Sequence, residues 1–422
     1  MKLDIAVTKF EMMSGAILSR NRKCTIIGLG TWNKKKNWPL GYIRTVDEVK
    51  IFGIFFKDSY RSMIKRNWDF RFGKFDNCVK SWSSRNLPSL RSRVQVLNTF
   101  ALSRVYYVAS ILPLSQTVAR KFESVLGRFV WNAAGWFLRV SIEEVKNVLE
   151  KGGLNLVCVF RMSKSFLLSQ FLRLLRSSDT KSVAHVAYWI GESIGDLLPG
   201  IDVGVHPRNI PDYFALIESL VVHGRIDDLV AANTWKGLTN KMIYCKSTES
   251  LPVPKVEIQA NVSFKRVWQL ITLPVLPTSS YDIPYLLIHN KLPLLERLFR
   301  VGVRNDPYCE TCPGAIICDA EHYFCACTRV KAAWLKLQQS IQNLIGACVP
   351  SERLITFRFP KSRFDKEVVW LLGTYMTEVW NLIFHRRKSH IKFEELFGFL
   401  KYKYRRDQEG ARIQLEKIPG VS

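Results

Sequence analysis

The sequence predicts a mainly α-helical protein with a small β region near its start and a compact cysteine–histidine knuckle in its last third. Apolar residues recur at helical spacing over most of the 422 residues. The two stretches that instead read as strands, Cys24–Trp32 and Val46–Phe56, both precede residue 57. The third observation is C-x2-C-x9-H-x4-C at Cys309, Cys312, His322 and Cys327, three thiols and one imidazole inside nineteen residues. A two-residue gap lets one tight turn present two thiolates to a single ion, and Pro313-Gly314 supplies that turn. Such a donor set suits zinc, and four protein ligands leave no open position for a water nucleophile, so the expected site is structural. Cys325 is the alternative to Cys327, because it lies three residues from His322 and would share its helix face; Cys318 is a bystander.

The charge balance narrows the partners. Sixty-two Lys and Arg against 36 Asp and Glu leave a formal net charge of +26, which points to a polyanion. With 47% hydrophobic residues the chain is able to bury a sizeable core. Ten cysteines without a signal peptide suggest a reducing, intracellular compartment. Residues 368–384, the most apolar stretch, are interrupted by Glu378 and Asn381, so a soluble protein without membrane contact is expected.

In chain order, Leu3, Ala6, Val7, Phe10 and Met13 mark a helix closed by Ser14-Gly15. A helix amphipathic from residue 3 needs something to pack against, as though the chain begins inside a domain. Gly28 and Gly30 form only G-x-G, without the third glycine or following helix of a dinucleotide loop, and the basic run Lys34-Lys35-Lys36 separates the two strands. From about residue 57 the pattern turns helical through Trp68, Phe70, Phe72, Phe75 and Trp82. Ser89 is the expected N-cap of a long helix with the stripe Leu90, Val94, Leu97, Ala101 and Val105. Arg93 and Arg104, eleven residues apart, would share another face of it, and Pro113 ends the segment. A helix over 118–131 buries Phe122, Val125, Phe129 and Val130 and carries Lys121 and Arg128 on one side.

Gly152-Gly153 reads as a turn, and Phe160–Arg176 as a helix with Arg161, Lys164, Arg173 and Arg176. Prolines 199, 207 and 211 suggest a loop-rich connection before a helix from about Tyr213. Asp227-Asp228 reads as a helix start with acids in its first turn rather than a pair of magnesium ligands. Helices are expected over 332–345 and 368–384. The chain then becomes basic, with His385-Arg386-Arg387-Lys388 and the Tyr-interleaved run 401–406, a pattern in which rings stack on bases and charges meet phosphate.

Several stretches coincide, in order, with one family: SGAILSRNRKC, VKIFGIFF, then W-x2-R-N-L-P-S-L-R-S-R-V-Q-V-L-N running to YYVASILPLS, RFVWN, KGGLNL, LTNKMIY, and the knuckle with Trp334 seven residues beyond it. The chain thus resembles, over nearly its whole length, the C-terminal part of a non-LTR (LINE-type) retrotransposon reverse transcriptase. The resemblance implies a truncated palm remnant over 1–56, with Lys23 in its motif D and primer-grip strands near Lys50–Phe56. It implies a thumb-like helical domain over 57–180, a helical connector over 181–300, the zinc knuckle with its following helix over 301–345, and a basic helical tail over 346–422. On this mapping Arg85, Arg91, Arg93 and Arg104 are candidate backbone contacts; with Lys23 of motif D, Lys121 and Arg128 of the second basic-faced helix and Arg386 and Arg387 of the basic run, they are the candidate contacts to RNA or DNA, the template–primer or target site, and a nuclear location is favoured.

The departures from the family define the expected activity. Its polymerases hold two magnesium ions on a motif A aspartate and an aromatic-x-Asp-Asp motif, and neither is present here. Magnesium would matter only if this chain were joined to such a palm. A restriction-like nuclease core is also missing after Cys327. The expected function is therefore nucleic-acid binding without catalysis, through a basic thumb and a structural zinc knuckle. The alternatives are a portion of an active reverse transcriptase whose catalytic half lies upstream, and a zinc-scaffolded protein-interaction module.

Overall fold

The computed structural model describes residues 2–15, 25–27, 43–44, 48–131, 139–176, 180–193, 210–222, 237–276 and 280–385. Described residues are mainly helical, as expected, and the strands are few and short. The chain divides into two compact units, each assembled from three separated segments. One consists of Met1–Lys80, Phe100–Phe122 and Val159–Ser247; the other of Ser81–Thr99, Glu123–Cys158 and Thr248–Ser422.

In the first unit the predicted N-terminal helix spans Lys2–Ser14, and Gly15 follows it with φ +67°, its N–H returning to the Glu11 carbonyl at 3.0 Å. Ile5, Phe10, Met12 and Met13 are all exposed. Of the first predicted strand, Thr25–Ile26 is described, paired in parallel with Ile43–Arg44. The glycines at 28 and 30 and the lysines at 34–36 lie outside the described residues. The second predicted strand, 46–56, is corrected: it is a hairpin in which Val49–Ile51 pairs antiparallel with Ile54–Phe56. Phe52 and Gly53 form its turn at φ +46° and +83°, the left-handed pair that matches the twist of the flanking strands. Sequence alternation hid this turn because aromatic Phe52 occupies a position that usually takes Asn or Gly.

A two-stranded hairpin leaves an edge of unpaired amides. Here the Asn67 side chain, on the helix Tyr60–Ser83, takes the place of a third strand. Its Oδ1 accepts the Phe55 N–H at 2.9 Å, and its Nδ2 donates to the Phe55 carbonyl at 2.7 Å and to the Met63 carbonyl at 2.8 Å. The same helix buries Trp68 and Phe75, which meet Phe122 edge-on, and the Trp68 indole donates to the Pro113 carbonyl at 2.7 Å. A separate core joins the predicted helix at Val159–Leu175 to Thr180–Ile190 and Asp212–Val222 through Leu168, Phe171, Leu172, Val186, Ile190 and Ile217.

In the second unit Ser89 caps the helix Leu90–Val96, accepting the Ser92 N–H at 3.1 Å. The long helix expected from this cap is broken, since a π turn at Leu97–Ala101 separates it from Ser103–Ala109. The wider turn shifts the rotational phase, so the eleven-residue spacing of Arg93 and Arg104 does not by itself place them on one face. Gly152 adopts φ +74° in the predicted Gly-Gly turn, and a Cβ on Gly153 would lie 1.9 Å from the Asn147 carbonyl. The helix Lys331–Ile345 matches its prediction and ends at Gly346 with φ +74°. The predicted apolar helix is Asp365–Trp380, extended by a π turn over Asn381–His385. Every residue from Glu367 to Trp380 is buried, which makes this helix the centre of its unit. Among the described residues no helix is long and apolar enough to cross a membrane.

Two contacts in the fold carry measurable consequences. Replacing Asn67 by Leu leaves the buried Phe55 N–H and C=O without partners, so thermal or denaturant unfolding should show a loss of about 2–4 kcal/mol. The Asp282 carboxylate accepts the Leu90 N–H at 3.0 Å, and burial raises its pKa from the usual 3.8 to about 7, against the Leu90 N–H and Arg93. A raised pKa means that the folded state holds the proton more tightly. The contribution is complete below pH 4 and fades as pH rises through about 7. Between pH 4 and 8 the wild type should therefore lose stability relative to Asp282→Asn, by about 4 kcal/mol at most, the linkage value of a carboxyl carried from 3.8 to about 7. A pH-independent difference between the two proteins would contradict this.

Candidate metal centre

The knuckle is built from a short hairpin and a single π turn. Tyr308 and Ile317 form an antiparallel bridge, flanked by Cys309 N–H to the Ile316 carbonyl at 2.8 Å and Cys318 N–H to the Pro307 carbonyl at 2.9 Å. Side chains alternate along such a pair, so Cys309 turns away from the exposed Tyr308 and Ile317 and into the protein. The loop at 310–315 returns Cys312 beside it, with Gly314 and Ala315 at φ +89° and +50°. On the other side, Asp319 Oδ1 accepts the His322 N–H at 2.7 Å and starts the turn His322–Ala326. The Cys327 N–H then donates to the His322 carbonyl at 2.7 Å, a five-residue step. That step gives H-x4-C its geometric meaning, because one wide turn brings Cys327 back toward the histidine.

The donor atoms of Cys309, Cys312, His322 and Cys327 all lie within 4.8 Å of one another, and all four residues are buried. Cys327 Sγ is 3.9 Å from Cys309 Sγ and 3.7 Å from Cys312 Sγ. A tetrahedral ion with zinc–sulfur bonds of about 2.3 Å sets its sulfurs about 3.8 Å apart, so the spacing fits. His322 Nε2 is buried and has no hydrogen-bond partner among the described residues, a cost that metal ligation relieves by fixing the ring. The cluster is thus a buried Cys3His centre able to hold an ion such as zinc. Cys325 lies outside it, buried near Ser351, and Cys318 is likewise outside the group of four.

The electrostatics of the thiols favour a cation. Burial opposes ionisation of Cys309, but the N–H groups of Thr311 and Cys312, with the His322 ring and the Cys312 thiol, draw it down to about 6. Burial and the charge of Cys309 push Cys327 up to about 11, a penalty that a divalent ion between them would reverse. The Thr328 N–H points at Cys312 Sγ at 3.4 Å. Sequence reasoning missed Arg329, whose guanidinium lies against the Cys327 and Cys309 sulfurs. Three thiolates and a divalent ion carry one net negative charge, and this cation offsets it. The signal available in the sequence was a single arginine two residues after the last ligand, too common to single out.

The proposed nucleic-acid contacts are scattered. Arg85, Arg91, Arg104, Lys121 and Arg128 are exposed. Arg93 is half-buried, and its Nη1 donates to the Val130 carbonyl at 2.9 Å near the end of the helix Gln116–Trp131. Part of its donor capacity therefore serves the fold. Lys23, Arg386, Arg387, the run 401–406 and Asp227-Asp228 lie outside the described residues.

A basic and aromatic group that the sequence reading did not single out surrounds the hairpin of the first unit. Lys50 Nζ sits 5.4 Å, Lys74 Nζ 5.7 Å and the Arg71 guanidinium 5.8 Å from the Phe70 ring centre. Arg66 stacks on Phe55 at 4.2 Å and is the one of these four cations that is ion-paired among the described residues, to Glu48 at 2.7 Å. At the tip, Phe52 is 91% exposed, while Tyr107 donates its hydroxyl proton to the Phe52 carbonyl.

Fold and site together define a mainly helical protein with a candidate Cys3His metal centre. Compared with protein-family models and with curated proteins, the chain matches none.

Metal content separates the two possible cysteine ligands. Purified with zinc, the chain should hold one equivalent, Cys325→Ser should keep it, and Cys327→Ser should lose it. Retention in Cys327→Ser with loss in Cys325→Ser would move the ligand. A bound ion contributes on the order of 10 kcal/mol to local folding, so chelation should open the 305–335 segment to hydrogen exchange.

Proposed function

We propose that the chain is a zinc-stabilised nucleic-acid-binding protein without catalysis of its own, corresponding to the end of the palm, the thumb and the knuckle of a LINE-type reverse transcriptase. The observation that carries this reading is the hairpin at 49–56 with its ring of cations. Lys50, Arg71 and Lys74 gather round one aromatic side chain, and an exposed phenylalanine stands at the tip. Cations held together without matching carboxylates among the described residues suit a phosphate backbone, and an exposed ring suits an unstacked base. The hairpin coincides with the stretch in which the family resemblance places primer-grip strands. The net charge of +26 supports the same partner class.

Phe52 itself argues for use rather than for folding. A bulky residue at φ +46° is strained, and a left-handed residue costs about 1–2 kcal/mol more than glycine. Its ring recovers little of that by burial, since it is 91% exposed. Strain of this kind concentrates at functional positions. On this account the ring stacks on a base at the end of a strand, while the basic group neutralises nearby phosphates.

A protein-docking role of the knuckle is the second reading, favoured by the exposed Tyr308, Ile316 and Ile317 on its hairpin. Such a protein would show no affinity for RNA or DNA at low salt while zinc is bound.

Phe52→Asn separates folding from binding. Asparagine is favoured in this turn, so thermal stability should stay equal or rise. Affinity for a primer–template duplex with an unpaired end should fall about tenfold, within the ~1–3 kcal/mol expected for one stacked base. Affinity should also drop steeply with salt, with a log–log slope of about −0.9 for each phosphate neutralised. Equal affinity of wild type and variant, or a flat salt response, would contradict the proposal.

A further inference from the structure

The second unit carries a cleft of about 190 Å³ lined by Trp82, Ser83, Ser84, Arg85, Asn86, Leu87, Arg93 and Phe129. It lies below the roughly 300 Å³ at which drug-sized ligand pockets begin. Its lining includes two guanidinium groups and, among the described residues, no carboxylate. The Arg85 guanidinium carbon lies over the Trp82 ring, 4.1 Å from its centre, which favours one placement of the exposed side chain. Arg93 is anchored by the bond from its Nη1 to the Val130 carbonyl at 2.9 Å. The Asp282 charge acts on Arg93, and its carboxylate oxygens also accept the Leu90 N–H at 3.0 and 3.1 Å. Burial pulls the Arg93 pKa down from its ordinary value. Two cations, one of them half-buried and in no ion pair among the described residues, form a small site for a compact anion.

The charge and shape of that anion follow from the lining. A strand passing along the surface presents phosphodiesters, each with one negative charge and an ester on both sides. A terminal phosphate carries between one and two charges near neutral pH and offers three free oxygens, which match two guanidinium forks. At about 190 Å³ the cleft has room for one such group.

We propose that this cleft holds the terminal phosphate of a nucleic-acid strand, with Arg85 and Arg93 as its two cationic contacts and Asn86 as a neutral donor at the rim. The inference rests on the nucleic-acid reading above. The terminal phosphate would set where a bound strand ends on this unit, a role distinct from the sequence-independent grip of scattered surface cations.

The test uses the full chain with zinc and two fluorescent oligonucleotide duplexes that differ only in a 5′-phosphate or a 5′-hydroxyl on one strand. The readout is the ratio of the two affinities. The phosphorylated probe should bind about tenfold more tightly, as expected for added charge-assisted hydrogen bonds. Arg85→Gln should bring the ratio to one, and Arg85→Lys, which keeps the charge but loses the fork, should leave it in between. Arg93→Gln should also abolish it, but Arg85 is the decisive position because Arg93 supports the fold. Inorganic phosphate added at constant ionic strength should lower the ratio in the wild type alone. A ratio of one in the wild type, with both probes bound, would overturn the terminal-phosphate assignment and leave the general reading intact. Arg85-dependent binding of inorganic phosphate with a probe ratio of one would make the ligand a free anion and equally overturn it. Failure of both probes to bind at low salt would remove the underlying reading itself.

Discussion

Three buried thiols gathered beside a buried imidazole, whose Nε2 has no hydrogen-bond partner among the described residues, make an arrangement that a protein interior does not hold without a reason. An ion relieves every term at once. It ligates the ring, screens the repulsion that raises Cys327, and converts sulfurs at 3.7 and 3.9 Å from crowded neighbours into edges of a tetrahedron. Arg329 then offsets the remaining negative charge from outside the ligand set. The loop from 305 to 330 has little regular structure of its own, so an ion held at this centre would add to its order.

The centre is also wired into the unit that contains it. The Tyr375 hydroxyl, fully buried on the helix Asp365–Trp380, donates to the Phe324 carbonyl within the π turn at 2.6 Å. Tyr323 packs on Trp380, and Trp334 packs on Tyr375 while its indole donates to Ser351 at 2.9 Å. The central helix thus touches the turn that carries His322 and precedes Cys327. Loss of metal order would reach its aromatic face directly. An ion held there would have four protein ligands, the arrangement of a structural site.

What was legible in the sequence follows from how local each feature is. The Ser89 cap, the stripe through Phe122 and Phe129, and the apolar run beyond Val368 depend on spacing within one helix, and all appear where predicted. The cluster of Cys309, Cys312, His322 and Cys327 was legible for the same reason, since a C-x2-C turn and H-x4-C are short-range patterns. The hairpin at 49–56 was read as one strand because Phe52 breaks the residue preference of its own turn. The π turn at Leu97–Ala101 was invisible because it keeps the apolar stripe while changing its phase. Asn67 serving a strand edge and Arg329 facing two sulfurs are long-range or low-information choices that no pattern announces. The interleaving of three segments in each unit is also beyond reach of composition.

The most direct test of the metal centre is titration of the full-length chain, reduced and metal-free, with cobalt(II), whose spectrum reports ligand type and geometry together. Saturation at one equivalent, with intense visible bands of a tetrahedral ion and a thiolate charge-transfer band that zinc abolishes, is the expected result. Weak bands of an octahedral ion, or no thiolate transition with the four ligand residues intact, would contradict the account.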